Sequence, residues 1–386
     1  MLNVAGLRTR GELYDVEGNQ VVATSVASSK RVLIIGCGPS GMAMAKSLQD
    51  LAIPYDLVDR HGEVGGSFAR MYGRIQLASP KRYLALPGLP ITTQLEYLTV
   101  DEYRVYLLAY CAHFNLVIDR QRVKQISAAQ NGLAVTLESD GAISTRLYVA
   151  VVVATGMNDH PFVPFPFNTQ ELQQTFGGVV LHSEQWRGAD AVKGQRILVV
   201  GSGMRGIEIA EECAGVAAHT LLSSRKSVIR ARPLKMGGVD LRAFFFPLMR
   251  LIPLAVIRTQ CRLGFKFRGI DNGIKSLVKR GLVQVRPGIK SLRNGKVEFE
   301  DLTCEVVDVV VFATGYRYEM EFLPAEIPRS ALGYPLANRG TCGVIPGLYV
   351  LGVPCAVAAD SDFVHGLALD ARIVSAAIKN QFFFAR

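Results

Sequence analysis

The chain has 386 residues, 49% hydrophobic and 20% charged, with a formal net charge of +10 and seven cysteines. That length gives two or three units able to bury cores without disulfide or metal staples, and the composition is that of a globular protein. No run of roughly 18 or more uncharged apolar residues is present, which excludes a spanning helix. The cysteines at 37, 111, 213, 261, 304, 342 and 355 show neither C-x-x-C nor metal-ligand spacing. This argues against a dithiol relay and a metal site, and for reduced thiols in the cytoplasm.

Residues 1–29 lack a long apolar core and carry Glu12, Asp15 and Glu17, so they read as a loose arm rather than a secretory or transit peptide. A strand at 31–36 then runs into the turn Gly36-Cys37-Gly38-Pro39-Ser40-Gly41 and a small-residue helix at 40–51. Strand, G-x-G-x-x-G turn and helix form a cradle for a dinucleotide pyrophosphate, because unpaired N–H groups and the dipole at the helix N-terminus favour anions. A second strand, 55–58, ends in Asp59, 18 residues beyond Gly41, near the spacing at which a carboxylate binds adenosine ribose. Arg60 follows, and Gly65 and Gly66 before Ser67 and Phe68 let the backbone approach a second, bulky part of the ligand. FAD is the expected ligand, on Gly36, Gly38, Pro39, Ser40, Gly41, Asp59, Arg60, Gly66, Ser67 and Phe68. The plain alternative is a tight turn and an ordinary strand-end carboxylate.

A β-ribbon turns at Asn131-Gly132, and an apolar strand at 149–153 ends in Ala154-Thr155-Gly156. The plan then repeats. A strand at 196–201 meets Gly201-Ser202-Gly203-Met204-Arg205-Gly206, a helix follows at 204–214, a ribbon turns at Asn294-Gly295, and a strand at 307–312 ends in Ala313-Thr314-Gly315. Ala154 follows Gly36 by 118 residues and Ala313 follows Gly201 by 112, so one unit is used twice. Both Ala-Thr-Gly triplets join the expected cofactor contacts. Continuous apolar strands alternating with helices predict an α/β protein of two Rossmann-like dinucleotide-binding domains. The stretch 347–378 again reads as strand, loop and helix and is expected to return to the first domain. The expected division is an arm over 1–29, an FAD domain over 30–165 and 309–386, and an NADPH domain over 166–308 inserted within it.

The strand at 219–222 ends in Ser223-Ser224-Arg225-Lys226, with no carboxylate. A carboxylate would repel a 2′-phosphate whereas Arg225 attracts it. NADPH rather than NADH is therefore expected on Gly201, Ser202, Gly203, Met204, Arg205, Ser224, Arg225 and Lys226; a solvated basic turn is the alternative. Between residues 225 and 268 eleven Lys or Arg stand against one acid, Asp240, a local +10 that equals the balance of the whole chain. The same stretch holds Phe244-Phe245-Phe246 and the apolar run 251–257. Three readings of the insertion 232–268 stay open: peripheral docking on an anionic membrane, a lid or tunnel over an apolar substrate, and an ordinary helical insertion. Nucleic-acid motifs are absent, and self-association into a homo-oligomer is left open.

Between the two turns, Phe176, Gly178, His182 and Trp186 resemble the fingerprint of the class B flavin-containing monooxygenases, F-x-G-x-x-x-H followed by an aromatic. From about residue 30 onward the chain is similar to that family in the order of both turns and both Ala-Thr-Gly strands, with YUCCA-type traits and some Baeyer–Villiger character. The resemblance implies that NADPH reduces FAD, that dioxygen adds to the reduced flavin as a C4a-hydroperoxide, and that a small apolar substrate is oxygenated at nitrogen, sulfur or a carbonyl carbon. It also implies positioning roles for His182, Trp186 and Arg205; on the residues alone, His182 is a core histidine bonded to a carbonyl and Trp186 a packing residue. Phe68, Arg70, 76–81 and 360–366 are expected near the isoalloxazine, with the N-terminus of the last helix facing the ring. Ala78 departs from the family's Asn or His, and Met204-Arg205 from its commoner Asn-Ser. Two alternatives therefore remain: a reductase passing electrons to a quinone or protein partner, and a non-catalytic flavoprotein subunit at a membrane.

Overall fold

The computed structural model describes residues 13–14, 20–21, 30–157, 160–225, 235–236, 239–240, 248–263, 271, 273–318 and 320–384. Most of the N-terminal arm, Lys226 and much of 232–268, including Phe244-Phe245-Phe246, lie outside the described residues.

Val32–Ile35, Ala150–Val153 and Leu348–Val350 are buried at every residue, as strands covered on both faces must be. They form the centre of a five-stranded parallel sheet in the order Leu348–Val350, Ala150–Val153, Val32–Ile35, Tyr55–Asp59, Asp119–Arg120. Helices Pro39–Asp50 and Val364–Ile378 lie against one another beside this sheet. Each fully buried Val, Ile or Leu in such a core contributes about 1.5–3 kcal/mol. The end of the chain thus does return to the first sheet.

The second sheet is also parallel and five-stranded, in the order Val179–His182, Val309–Phe312, Arg196–Val200, His219–Ser223, Gln284–Arg286. Val309–Phe312 hydrogen-bonds to neighbours on both sides, with Phe312 in register with Val200. The boundary expected after residue 308 is therefore corrected: this strand belongs to the second domain. A three-stranded antiparallel meander accompanies each sheet, Arg122–Ala129 with Gly132–Ser139 and Ala142–Tyr148 in the first, Ile289–Arg293 with Lys296–Phe299 and Cys304–Val306 in the second. Asn294 and Gly295 turn the second meander with φ of 49° and 70°, the left-handed pair that an Asn-Gly hairpin turn provides. His160–Pro161 and Tyr316–Arg317 pair antiparallel, so the two chain crossings between the domains form one ribbon.

The described part of the insertion holds a helical turn at 248–251 and the helix Leu254–Leu263. Met249 and Cys261 are buried, whereas Leu251, Val256 and Leu263 are 74%, 72% and 69% exposed. Cys261 and Cys355 form a disulfide, with Cα atoms 6.2 Å apart and a sequence separation of 94. This overturns the expectation of reduced cysteines throughout, and with it the cysteine argument for the cytoplasm. Spacing carried no sign of the pair because tertiary folding, not local sequence, brings the two Cα atoms within bonding range. Among the described residues, no helix is long and apolar enough to cross a membrane.

Candidate active site

The first glycine turn is held by close backbone contact. Gly36 has φ of 102°, and a Cβ there would stand 2.6 Å from the Ala154 carbonyl oxygen; a Cβ on Gly41 would stand 1.9 Å from the Gly36 carbonyl oxygen. Only hydrogen fits at either place. The helix Pro39–Asp50 consequently starts hard against the sheet, with Gly38 as N-cap and no side chain capping it, which leaves its first N–H groups for an anion. Gly65 N–H donates to the Cys37 carbonyl at 2.9 Å, drawing the double glycine over the turn.

Asp59 is 9% exposed. Its Oδ2 accepts the Cys37 N–H at 3.0 Å, and its Oδ1 accepts those of His61 at 2.8 Å and Gly62 at 3.2 Å. A carboxylate has about four acceptor positions, so Asp59 braces the turn and keeps room for one more donor. Above it opens a cavity of about 360 Å³. Gly36, Gly38, Pro39, Ser40, Asp59, Arg60, Gly66, Ser67, Phe68, Ala154, Thr155 and Gly156 all line it; Gly41 stands behind the turn.

Arg70, Asp362 and Val364 line the cavity as expected, but residues 76–81 do not. That stretch is tied elsewhere, Leu77 N–H donating to the Leu98 carbonyl and Lys81 Nζ to the Thr93 carbonyl. Sequence reasoning missed Gln121–Lys124 at the meander edge and, at the end of the interdomain ribbon and just beyond it, Arg317, Tyr318, Met320, Glu321 and Phe322. Neither group belongs to a motif; only the topology carries them to the cavity. Val364 begins the helix Val364–Ile378, which also lacks a side-chain cap. Burial pushes the neighbouring Asp362 carboxyl up to about 7, and the Asp360 and Asp370 charges add to the effect.

These features fit a flavin dinucleotide. Two uncapped helix starts face one cavity, the glycine cradle has no room for side chains, and Thr155 Oγ1 is buried there without a protein partner. Its counterpart in the second copy, Thr314 Oγ1, instead donates to the Phe162 carbonyl.

The second turn repeats the backbone of the first. Gly201 has φ of 110°, and a Cβ on Gly206 would come 1.8 Å from the Gly201 carbonyl oxygen. Met204–Cys213 starts at Gly203 without a side-chain cap. Here, however, the turn is open, Gly203 being exposed and Gly201, Ser202, Met204 and Arg205 half-buried. Ser202 Oγ and Ser224 Oγ lie 2.9 Å apart where the first copy has Asp59 against Cys37, and Arg225 is exposed beside them. Arg205 donates from Nη1 to Glu208 at 3.2 Å, while its Nη2 is buried with no partner. Donors, cations and no carboxylate at the strand end fit a 2′-phosphorylated pyridine nucleotide.

His182, 3% exposed, lies at the end of Val179–His182. Its Nδ1 accepts the Glu184 N–H at 3.2 Å, which makes Nε2 the protonated nitrogen, donating to the Gly315 carbonyl at 3.1 Å. Burial lowers its pKa to about 4, so it is a neutral strut on the second Ala-Thr-Gly triplet. Trp186, 1% exposed, packs under Met204–Cys213 and donates from Nε1 to Glu212 at 2.8 Å. It does not line the cavity; it supports the helix behind the second turn.

Comparison with known proteins agrees with this geometry. Residues 33–237 match the family model described as pyridine nucleotide-disulphide oxidoreductase, and residues 262–332 match flavin-binding monooxygenase-like. Probable indole-3-pyruvate monooxygenase YUCCA9 of Arabidopsis thaliana is 29% identical over 354 residues, 81% of this chain and 82% of its own. A flavin-containing monooxygenase from Stenotrophomonas maltophilia superposes with a TM-score of 0.72 at 22% identity, over 91% of this chain and 99% of that one. The bacillithiol disulfide reductase Bdr (YpdA) from Bacillus cereus does so at 0.68 and 17% identity, over 91% and 99%. The chain belongs to the pyridine nucleotide-disulphide oxidoreductase family. Within it, this is an FMO/YUCCA-like flavin-dependent monooxygenase that uses FAD and NADPH.

Proposed function

We propose that NADPH, held at the second turn, supplies electrons for oxygenation of a small organic molecule beside the first cavity. The contrast between one enclosed cradle and one open cationic cradle carries this reading. A cofactor in the enclosed site is retained between turnovers; one in the open site exchanges on every turnover. FAD supplies the redox and oxygen chemistry when bound. The chain's residues bind it on Gly36–Gly41, close water out with Phe68 and Val364, and fix the second triplet through His182. Arg205, Ser224 and Arg225 bind the NADPH phosphates.

The relatives named as indole-3-pyruvate monooxygenases make an aromatic 2-oxo acid the first substrate class to test, and Arg70 and Arg317 on the cavity wall are suited to a carboxylate. The test is a balance sheet: holoenzyme, NADPH and oxygen with 2-oxo acids, amines or sulfides, measuring product, NADPH consumed and peroxide released. One product per NADPH with one class supports the proposal. Electrons recovered only as peroxide or in an added quinone, whatever the substrate, would turn the reading to a reductase.

The exposed Leu251, Val256 and Leu263 in a strongly basic stretch favour a second reading, peripheral docking on an anionic membrane surface. Flotation with anionic vesicles but not neutral ones supports it; absence from both floated fractions removes it.

A further inference from the structure

A buried ion cluster joins the insertion to the first domain. Arg250, 22% exposed, donates from Nη1 to both Asp360 oxygens at 3.1 and 3.3 Å and to the Gly366 carbonyl at 3.3 Å, and from Nη2 to Asp370 at 2.7 Å. The two carboxylates are 1% and 0% exposed. His365 Nε2 lies 3.3 Å from Asp360. Burial raises the Asp370 pKa, opposed by Ser361 and Arg250; at Asp360 burial acts the same way, but the His365 hydrogen bond and the Arg250 charge overcome it and lower the pKa.

The two ends of this contact come from different domains. Arg250 sits in the helical turn 248–251 of the insertion, which interrupts the second domain between His219–Ser223 and Gln284–Arg286. Its partners sit on the first domain's closing loop, residues 351–363 between the strand Leu348–Val350 and the last helix, and on that helix, Val364–Ile378. A little further on, the Cys261–Cys355 disulfide, the Tyr334 hydroxyl donating to the Cys261 carbonyl and the Ala331 N–H donating to the Arg262 carbonyl at 2.9 Å fasten the same insertion. The insertion therefore straps the closing loop at Cys355 and at Asp360. Asp362 and Val364, immediately beyond the second strap, line the cavity.

We propose that Arg250 is a positioning residue for the flavin site, holding the closing loop and the uncapped start of the last helix in the FAD-binding arrangement from within the second domain. The proposal rests on the assignment of the first cavity to FAD. Among the described residues, Arg250 is not part of the cavity lining and donates to Asp360, Asp370 and the Gly366 carbonyl. Without it two adjacent buried carboxylates lose their cation, and each must take up a proton or reach water by opening the loop. Opening draws Asp362 and Val364 off the cavity wall and turns the helix start away. Removing both charges and the cation together removes the conflict.

The test is FAD titration of the apoprotein, followed by quenching of flavin fluorescence and by the shape of the bound flavin's visible band, with NADP⁺ affinity measured in parallel. Arg250→Met is expected to raise the FAD Kd about tenfold or more, roughly 1.4 kcal/mol, to blur the visible band, and to leave NADP⁺ affinity unchanged. The triple variant Arg250→Gln/Asp360→Asn/Asp370→Asn is expected to recover to within about threefold of wild type. Arg250→Lys, which keeps the charge but not the fork across both carboxylates, is expected to fall between, and it carries the test should Arg250→Met not fold. Wild-type FAD affinity in Arg250→Met or Arg250→Lys would overturn the proposal, as would equal weakening of FAD and NADP⁺, which marks general destabilisation. A wild-type apoprotein that takes up no FAD would instead defeat the cofactor assignment beneath it.

Discussion

The two glycine turns share a backbone but not a setting. Both reverse at a glycine with φ near 100° and both press a second glycine onto the first one's carbonyl, yet the first is covered by the closing loop and last helix while the second faces solvent. A single carboxylate marks the divergence. Asp59 accepts three backbone N–H groups and braces the first turn; at the second, Ser202 and Ser224 bond to each other, Arg205 is paired with Glu208, and no strand-end carboxylate stands beside Arg225. Duplication thus supplies the cradle, and what is laid around it decides whether the cofactor stays or leaves.

The strongest way to break this comparison is to block one cradle at a time. In Gly41→Ala the new Cβ meets the Gly36 carbonyl, and in Gly206→Ala the Gly201 carbonyl; each overlap costs about 1–3 kcal/mol or more. Gly41→Ala should be purified without flavin, whereas Gly206→Ala should keep flavin but not be reduced by NADPH. Flavin lost equally from both would show that the cradles are not separate sites. Next in size is the disulfide, which ties the insertion to the loop that covers the enclosed cradle. Its 94-residue span predicts a loss of about 2–4 kcal/mol on reduction or in Cys261→Ser, read as a lowered unfolding midpoint accompanied by faster FAD release. An unchanged midpoint would show that the ion cluster alone holds the strap. Smaller again is Arg225→Ala, which should raise KM for NADPH about 10-fold to 100-fold, or 1.4–2.7 kcal/mol, and leave KM for NADH as it was. Equal changes for both nucleotides would move the 2′-phosphate contact elsewhere.

Motif-bearing parts of the fold were legible because their spacing has a local cause. The glycine turns, the Ala-Thr-Gly strands and the alternation of apolar strands with helices each follow from what a few neighbouring residues can do, and the first-site list maps onto one cavity, Gly41 apart. What was hidden depends on distant contacts. Cys261 and Cys355, Arg250 with Asp360 and Asp370, and the cavity residues 317, 318 and 320–322 come together only when the insertion and both crossings are in place. Asp59 shows an intermediate case: its position was readable, but its three backbone donors come from the shape of the turn. Trp186 shows the converse, since a matching residue type at a family position turned out to brace a helix through Glu212.

The finest distinction between the halves is their opposite response to pH. In the first, the Asp362 carboxyl is raised to about 7 by burial, so between roughly pH 4 and 7 the folded protein holds a proton that the unfolded chain releases. Stability from this group is complete at the acid end and falls as pH rises through 7, by at most about 1.4 kcal/mol per pH unit. In the second, His182 is lowered to about 4 by burial, so between roughly pH 4 and 6.5 it is the unfolded chain that holds the extra proton. Stability from His182 is complete above that window and falls as pH drops through 4. The two slopes offset each other in the apoprotein, whose stability should show little net contribution from this pair near pH 5. Asp362→Asn should expose the histidine slope, with stability falling on acidification from 6.5; His182→Gln should expose the carboxyl slope, with stability rising over the same interval. Denaturant midpoints at pH 4.5, 5.5 and 6.5 read both. Parallel shifts in the two variants would mean that neither group titrates between the folded and unfolded states as its burial requires.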